Sequence, residues 1–140
     1  MKTNSKATNL KTRRLRLQAM ESASRRRAEG LQVLAAVNGM IRPEHDIDGR
    51  ARGTVAVLEV ASSAQVSGKA ASRALRHWQS WRVFWLWWKG KRNWEVRFER
   101  RVVEELLSTP RHAIGAFLVA HKLRCEARSE RNSGQQIAVQ

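Results

Sequence analysis

The residues best placed to do chemistry lie between Ser67 and Arg92. In Gly68–Ser80, Ala71, Ala74, Leu75 and Trp78 recur at i, i+3, i+4 and i+7, so one face of a helix is apolar. Lys69, Ser72, Arg73, Arg76 and Gln79 fall on the other side. Ser67 precedes the run, where a serine side chain accepts a hydrogen bond from a free N–H of the first turn. A helical face of Arg, Lys and Ser donates hydrogen bonds to oxygen acceptors. Arginine forks onto the edge of guanine, whereas lysine and serine more often meet phosphate. Further on, Lys89, Lys91 and Arg92 surround Gly90. His121 and Cys125 stand at i, i+4 and could share a metal, but two ligands are not a site and no CxxC partner exists. They read as core or surface residues. No nucleophile–base pair, phosphate-cradling glycine loop or pair of carboxylates in an apolar setting is present, and Glu104-Glu105 point in different directions on a helix. No enzymatic activity, cofactor or metal is expected.

The elements that must position these cations follow from pattern. Arg82–Trp88 is dense in β-branched and aromatic residues. Lys89–Arg92 supplies a Gly-containing turn, and Asn93–Arg100 alternates Trp94, Val96 and Phe98 against Glu95, Arg97 and Glu99. That is a β-hairpin. All six tryptophans fall between 78 and 98, which predicts a Trp-rich core where the hairpin packs on helices; stacking of bases on exposed indoles is the lesser alternative. Within 83–88, Val83, Trp85 and Trp87 point opposite to Phe84, Leu86 and Trp88, so one set must meet the C-terminal helices or a partner.

Upstream, Leu31, Leu34 and Val37 mark a helix from Ser22, stopped by Asn38-Gly39 with Pro43 beyond. Residues 42–53 read as a loop. Thr54–Ala64 suits a helix, with Val55, Val57 and Val60 leaving a strand open by periodicity. Downstream, 101–107 starts a short helix ended by Ser108-Thr109-Pro110. Thr109 and Pro110 suit the N-cap and first position of a helix running to about Arg128, with Ile114, Phe117, Leu118, His121 and Cys125 as its stripe. Residues 129–140 read as a frayed tail.

The chain has 140 residues and a formal net charge of +15, from 27 Lys+Arg against 12 Asp+Glu. At 42% hydrophobic residues it can build a core, so wholesale disorder is not expected. One cysteine excludes a disulfide framework within the chain. Apolar runs are too short for a bilayer, and the first residues lack a signal-peptide core. Residues 1–28 hold nine basic residues and one acid, and 1–20 read as a flexible basic arm that becomes helical on a partner. A mitochondrial transit peptide is its lesser alternative. Such charge on so short a chain points to a polyanion, nucleic acid first.

Val60-Ala61, then Val66-Ser67, then Ala70–Arg76 resembles the helix-turn-helix of bacterial DNA-binding regulators. The small residue of the first helix falls on Ala61, the apolar turn residue on Val66, the cap on Ser67 and the buried position of the second helix on Ala71. The turn that usually carries Gly has Gln65, which enters positive φ with strain, so a wider turn is expected. With the hairpin directly after, the chain resembles a winged helix-turn-helix over roughly 22–100. The resemblance implies a mainly α fold with a β-hairpin: a flexible basic arm (1–20), a winged domain (21–100), C-terminal helices for packing or dimerisation (101–128) and a tail (129–140). It implies sequence-specific binding of double-stranded DNA by a recognition helix (68–80) and a basic wing (82–100). The residues facing DNA would be Ser67, Lys69, Ser72, Arg73 and Arg76, with Lys89, Lys91 and Arg92 on phosphates or in the minor groove. A transcriptional regulator or a replication or partition factor of bacterial, phage or plasmid origin is expected, cytoplasmic and nucleoid-associated, with a homodimer through the C-terminal helices left open. The rival reading is a basic structural component of a ribonucleoprotein particle, such as an organellar ribosomal protein, with RNA as partner.

Overall fold

The computed structural model describes residues 2–139, with side chains described over residues 9–131. In chain order the elements are α1 (Lys2–Met40), a short 3-10 turn at Pro43–His45, β1 (Arg50–Ala56), α2 (Val57–Ala64), α3 (Gly68–Ser80), β2 (Trp85–Gly90), β3 (Asn93–Glu99), α4 (Arg100–Ser108), a second 3-10 turn at Arg111–Ala113, and α5 (Ile114–Val139). The protein is mainly helical, with one small antiparallel sheet of order β1-β3-β2. Among the described residues no helix is long and apolar enough to cross a membrane.

The hairpin forms where the aromatic and alternating runs predict it, but it is not alone. Arg50–Ala56 pairs along the whole of β3, from Arg50 opposite Glu99 to Ala56 opposite Asn93. This strand corrects two sequence expectations, the loop at 42–53 and the start of the helix at Thr54. Its inward residues are Ala51, Gly53 and Val55, too small to give a strong hydropathy signal. The strand passes close to α1 here: a Cβ on Gly53 would stand 3.1 Å from Ile41 Cγ1, just past the end of that helix. Strand alternation gives the sheet two faces. Ala51, Val55, Leu86, Val96 and Phe98 face the helices and are buried. Arg50, Arg52, Thr54, Trp85, Trp87, Glu95 and Arg97 face outward.

One core serves every element. Val33, Leu34 and Val37 of α1, Val60 of α2, Leu75 and Trp78 of α3, Phe84, Val96 and Phe98 around the sheet, Val103 and Leu106 of α4, and Ile114 and Leu118 of α5 form a single buried cluster. The Trp78 Nε1–H donates to the Gly30 carbonyl at 2.9 Å, which satisfies the indole's polar end inside the α1–α3 contact. The C-terminal helices are therefore part of the domain core. The expected tryptophan core is only partly formed: Trp78 is buried, whereas Trp87 and Trp88 are 43% and 57% exposed.

Three boundaries differ from expectation. Residues 2–20, read as a flexible arm, are the first half of α1. The segment has no Pro or Gly before Gly30 to break it, the packed turns after Gly30 supply the helical nucleus, and Glu21 stands four residues before Arg25 in the favourable order. Thr109 closes α4 rather than capping the next helix: its Oγ1 donates to the Glu105 carbonyl at 2.6 Å, and Pro110 is extended before the second 3-10 turn. Residues 129–139, read as a tail, continue α5. Gln140 lies outside the described residues.

Candidate nucleic-acid interface

The helix pair begins with a turn that the sequence makes difficult. Gln65 takes φ 58°, ψ 45°, the left-handed conformation that glycine would adopt without steric cost. The Val66 N–H donates to the Ala61 carbonyl at 3.0 Å and the Gln65 N–H to the Ser62 carbonyl at 3.3 Å. Those two bonds close a Schellman motif, with Val66 packed on the core. The turn is tight, not widened as Gln65 suggests. Ser67 then caps α3, its Oγ accepting from the Ala70 N–H at 3.1 Å. That role leaves the Ser67 hydroxyl proton for an outside acceptor.

In α3, Ala70, Ala71, Ala74, Leu75 and Trp78 are buried, and Lys69, Arg73 and Arg76 are exposed beside the half-buried Ser72. The four polar residues share one face of the helix, as their spacing predicts. Arg73 also lines a groove of about 610 Å³ with Arg26 and Arg27 of α1, His77, Trp81 and Arg111. The basic run of α1 is thereby brought beside α3, which its position in the sequence did not reveal. The ring of His77 meets the Trp78 indole edge-on at 5.0 Å. Partial burial there holds the imidazole below its ordinary pKa, so it carries no charge at neutral pH. The charge of this surface therefore comes from arginine and lysine.

The hairpin tip is the second cluster. Lys89, Lys91 and Arg92 are all exposed. Gly90 pairs with Asn93, leaving Lys91 and Arg92 as the two central residues of the turn, at φ 51° and 61°. Positive φ at both is a type I′ turn, which prefers Asn-Gly. Holding an L-residue there costs about 1–2 kcal/mol each. Strain of this kind persists where the surroundings over-determine it. Here the Arg92 carbonyl accepts from the Val57 N–H at 3.0 Å, the first amide of α2, which has no side-chain cap. The next residue, Leu58, lies over Gly68, where a Cβ would be 3.7 Å from Leu58 Cδ2. The first turn of α2 thus touches both the hairpin tip and the first residue of α3. The backbone of the hairpin tip and the start of α3 are both tied to α2.

His121 and Cys125 are occupied structurally. His121 is buried, and its Nε2–H donates to the Arg82 carbonyl at 2.9 Å, while Cys125 Sγ lies 3.5 Å from that nitrogen. Burial raises the Cys125 pKa, which keeps the thiol protonated at neutral pH.

The chain matches no protein-family model, no curated protein and no solved structure.

Proposed function

We propose that this protein binds double-stranded DNA as a winged helix-turn-helix domain, with α3 in the major groove. One observation carries the reading. Lys69, Ser72, Arg73 and Arg76 form the outer face of a helix whose other face is buried, and the basic hairpin tip is tied to the same turn of α2 as the start of that helix. A helix about 10–12 Å across fits the major groove, about 12 Å wide. Arg73 and Arg76 reach base edges; Ser67, Lys69 and Ser72, the tip residues Lys89, Lys91 and Arg92, and Arg26 and Arg27 of α1 lie along the flanking phosphates. The tight turn from α2 to α3, followed at once by the hairpin, supports the winged reading over a bare helix-turn-helix. The role that follows is that of a sequence-specific regulator or a replication or partition factor. A second reading, a component of a ribonucleoprotein particle, draws on the exposed Leu10, Leu15, Leu17 and Met20 of α1, which would pack on a neighbouring chain.

Selection from random duplexes tests the choice. An enriched motif supports the DNA reading, and the lack of any preference among duplexes favours the particle. On the selected motif, Arg73→Ala is expected to cost about 1–3 kcal/mol, concentrated at one base position. An equal loss on every duplex would make Arg73 a phosphate contact.

The strained tip yields a test with two opposite signs. Replacing Lys91-Arg92 by Asn-Gly supplies the residues that a type I′ turn prefers and removes two cations. The melting temperature is expected to rise, by the equivalent of about 1–2 kcal/mol, while duplex affinity at low salt falls by about an order of magnitude. A more stable variant of undiminished affinity would remove the hairpin from the interface.

A further inference from the structure

The outer face of the sheet is turned away from α3, and of its residues the duplex reading uses only Lys89, whose Nζ lies 3.8 Å from Glu95 Oε2. It carries Trp87, 43% exposed, and the half-buried Trp85 on the next rung. Arginines surround them. The Arg97 guanidinium lies over the Trp87 ring at 4.6 Å, and Arg50, Arg52, Arg82 and Arg128 line the same groove of about 780 Å³ between the sheet and α5. Two of the acids on this face are engaged, and the exposed Asp48 also lines the groove. Glu95 accepts from Arg52 Nε at 2.7 Å, a hydrogen bond that holds its carboxyl below the usual range, and Glu99 faces Arg128 at 3.5 Å. Arg50 and Arg82 have no acidic partner within ion-pair distance among the described residues. Arg97 stands 3.7 Å from Glu95, outside hydrogen-bond range, and its buried Nε–H has no acceptor. Stacking on Trp87 and the ion pair with Glu95 hold that guanidinium without a hydrogen bond, and the side chain is 43% exposed to an incoming phosphate.

We propose that this face binds an unpaired nucleic-acid strand, with Trp87 stacking on a base and Arg50, Arg52, Arg82 and Arg97 on the phosphates. The chemistry selects single strands. An indole ring offers a flat π-face, and only an unpaired base has its own face free to meet it; in a duplex those faces are stacked inside. Base–aromatic stacking tolerates any sequence, and arginine adds charge and cation–π attraction. An acidic protein segment would satisfy the arginines and leave the indole unused. The inference does not rest on the duplex reading, because none of Arg50, Arg52, Arg82, Trp87 and Arg97 takes part in it.

The experiment is a fluorescence-anisotropy titration of the full chain with four probes. These are an oligothymidylate strand, an oligouridylate strand, an abasic strand of equal length, and a labelled duplex; polyglutamate serves as competitor. Either base-bearing strand should bind about 5- to 150-fold more tightly than the abasic strand, the range for one stacked base. Trp87→Ala should abolish that margin and leave duplex affinity unchanged, and Trp87→Phe should keep part of it. Trp88→Ala is the control, since Trp88 lies on the other pleat, edge-on to Trp94 at 5.0 Å. Equal binding of base-bearing and abasic strands would overturn the proposal, and it needs no variant. So would displacement of the base-bearing strand by polyglutamate as readily as by abasic strand and base-bearing strand alike, or a margin that survives Trp87→Ala. Loss of duplex binding alone, with the single-strand margin intact, would sink the duplex reading and leave this one standing.

Discussion

Replacing Arg100 with leucine is expected to destabilise the domain by about 3–5 kcal/mol, the cost of breaking a buried charged pair by removing one partner. Arg100 opens α4, with its side chain only 9% exposed. Its Nε and Nη2 form a fork on Asp46 at 2.8 and 2.9 Å. The Nη1 donates to the carbonyl and the side chain of Asn38 at 2.8 and 3.0 Å, and Nη2 also reaches the Ile41 carbonyl at 2.8 Å. One guanidinium therefore satisfies the last turn of α1, holds the loop after it, and fixes the start of α4. Leucine would leave a carboxylate and two helix-end carbonyls without these donors. For a domain with about 5–15 kcal/mol of total stability, that is a large fraction. The measurement is urea unfolding of the variant; a loss below about 1 kcal/mol would mean that water replaces these bonds at no cost. Lysine cannot make the fork and is expected to recover little.

The same pair sets an acid limit. The hydrogen bond from Arg100 holds the Asp46 carboxyl below its usual range. A carboxyl whose folded pKa is depressed contributes stability above its unfolded pKa of about 3.9, and that contribution is lost as pH falls through the lower folded value. Stability is therefore expected to fall on acidification below about pH 4. Asp46→Asn should be less stable at neutral pH and show a shallower fall in that window. An identical acid profile would show that Asp46 protonates in both states alike.

Deleting residues 1–20 is expected to change DNA affinity more than any point substitution, and in a way that salt exposes. The deleted segment holds six basic residues, and from Asn9 to Arg27 every described side chain of α1 is exposed. Nothing in the core depends on them, because the buried residues of α1 begin at Gly30. Among the described side chains, Lys11, Arg13, Arg14 and Arg16 are exposed on the helix that carries Arg26 and Arg27 beside α3. If all six meet phosphate, the log–log dependence of affinity on salt loses about five from its slope, at about 0.9 per contact. Affinity at low salt then falls by about three orders of magnitude, while the melting temperature stays close to that of the full chain. An unchanged slope would show that this helix points away from DNA.

How much of this could be read in advance depends on how local each signal is. The α3 stripe, the Ser67 cap and the hairpin were legible because each rests on residues within a few positions of one another. Arg50–Ala56 was not. Its inward side chains are small, and its conformation is set by pairing with β3, forty residues later. Arg100 was hidden for the same reason: its partners are Asn38, Ile41 and Asp46, and nothing in NWEVRFER marks the last arginine as buried. The helical state of residues 2–20 depends on the packed turns beyond Gly30. Among the interface residues, the spacing of Lys69, Ser72, Arg73 and Arg76 placed them on one helix face. That Arg26 and Arg27 adjoin them is a tertiary fact.

The Lys91-Arg92 turn also bears on the order in which the domain assembles. An Asn-Gly turn draws its two strands together unaided, whereas each of these residues enters the left-handed region uphill. The hairpin is therefore expected to be a poor nucleus. Strand β3 is expected to find β1 and the helical core first, with the turn closing last, as the Arg92 carbonyl meets the first amide of α2. Interactions made after the transition state alter the unfolding rate and leave the folding rate nearly untouched. A tip that carries cations where Asn-Gly would fit better thus shortens the lifetime of the native domain without slowing its formation.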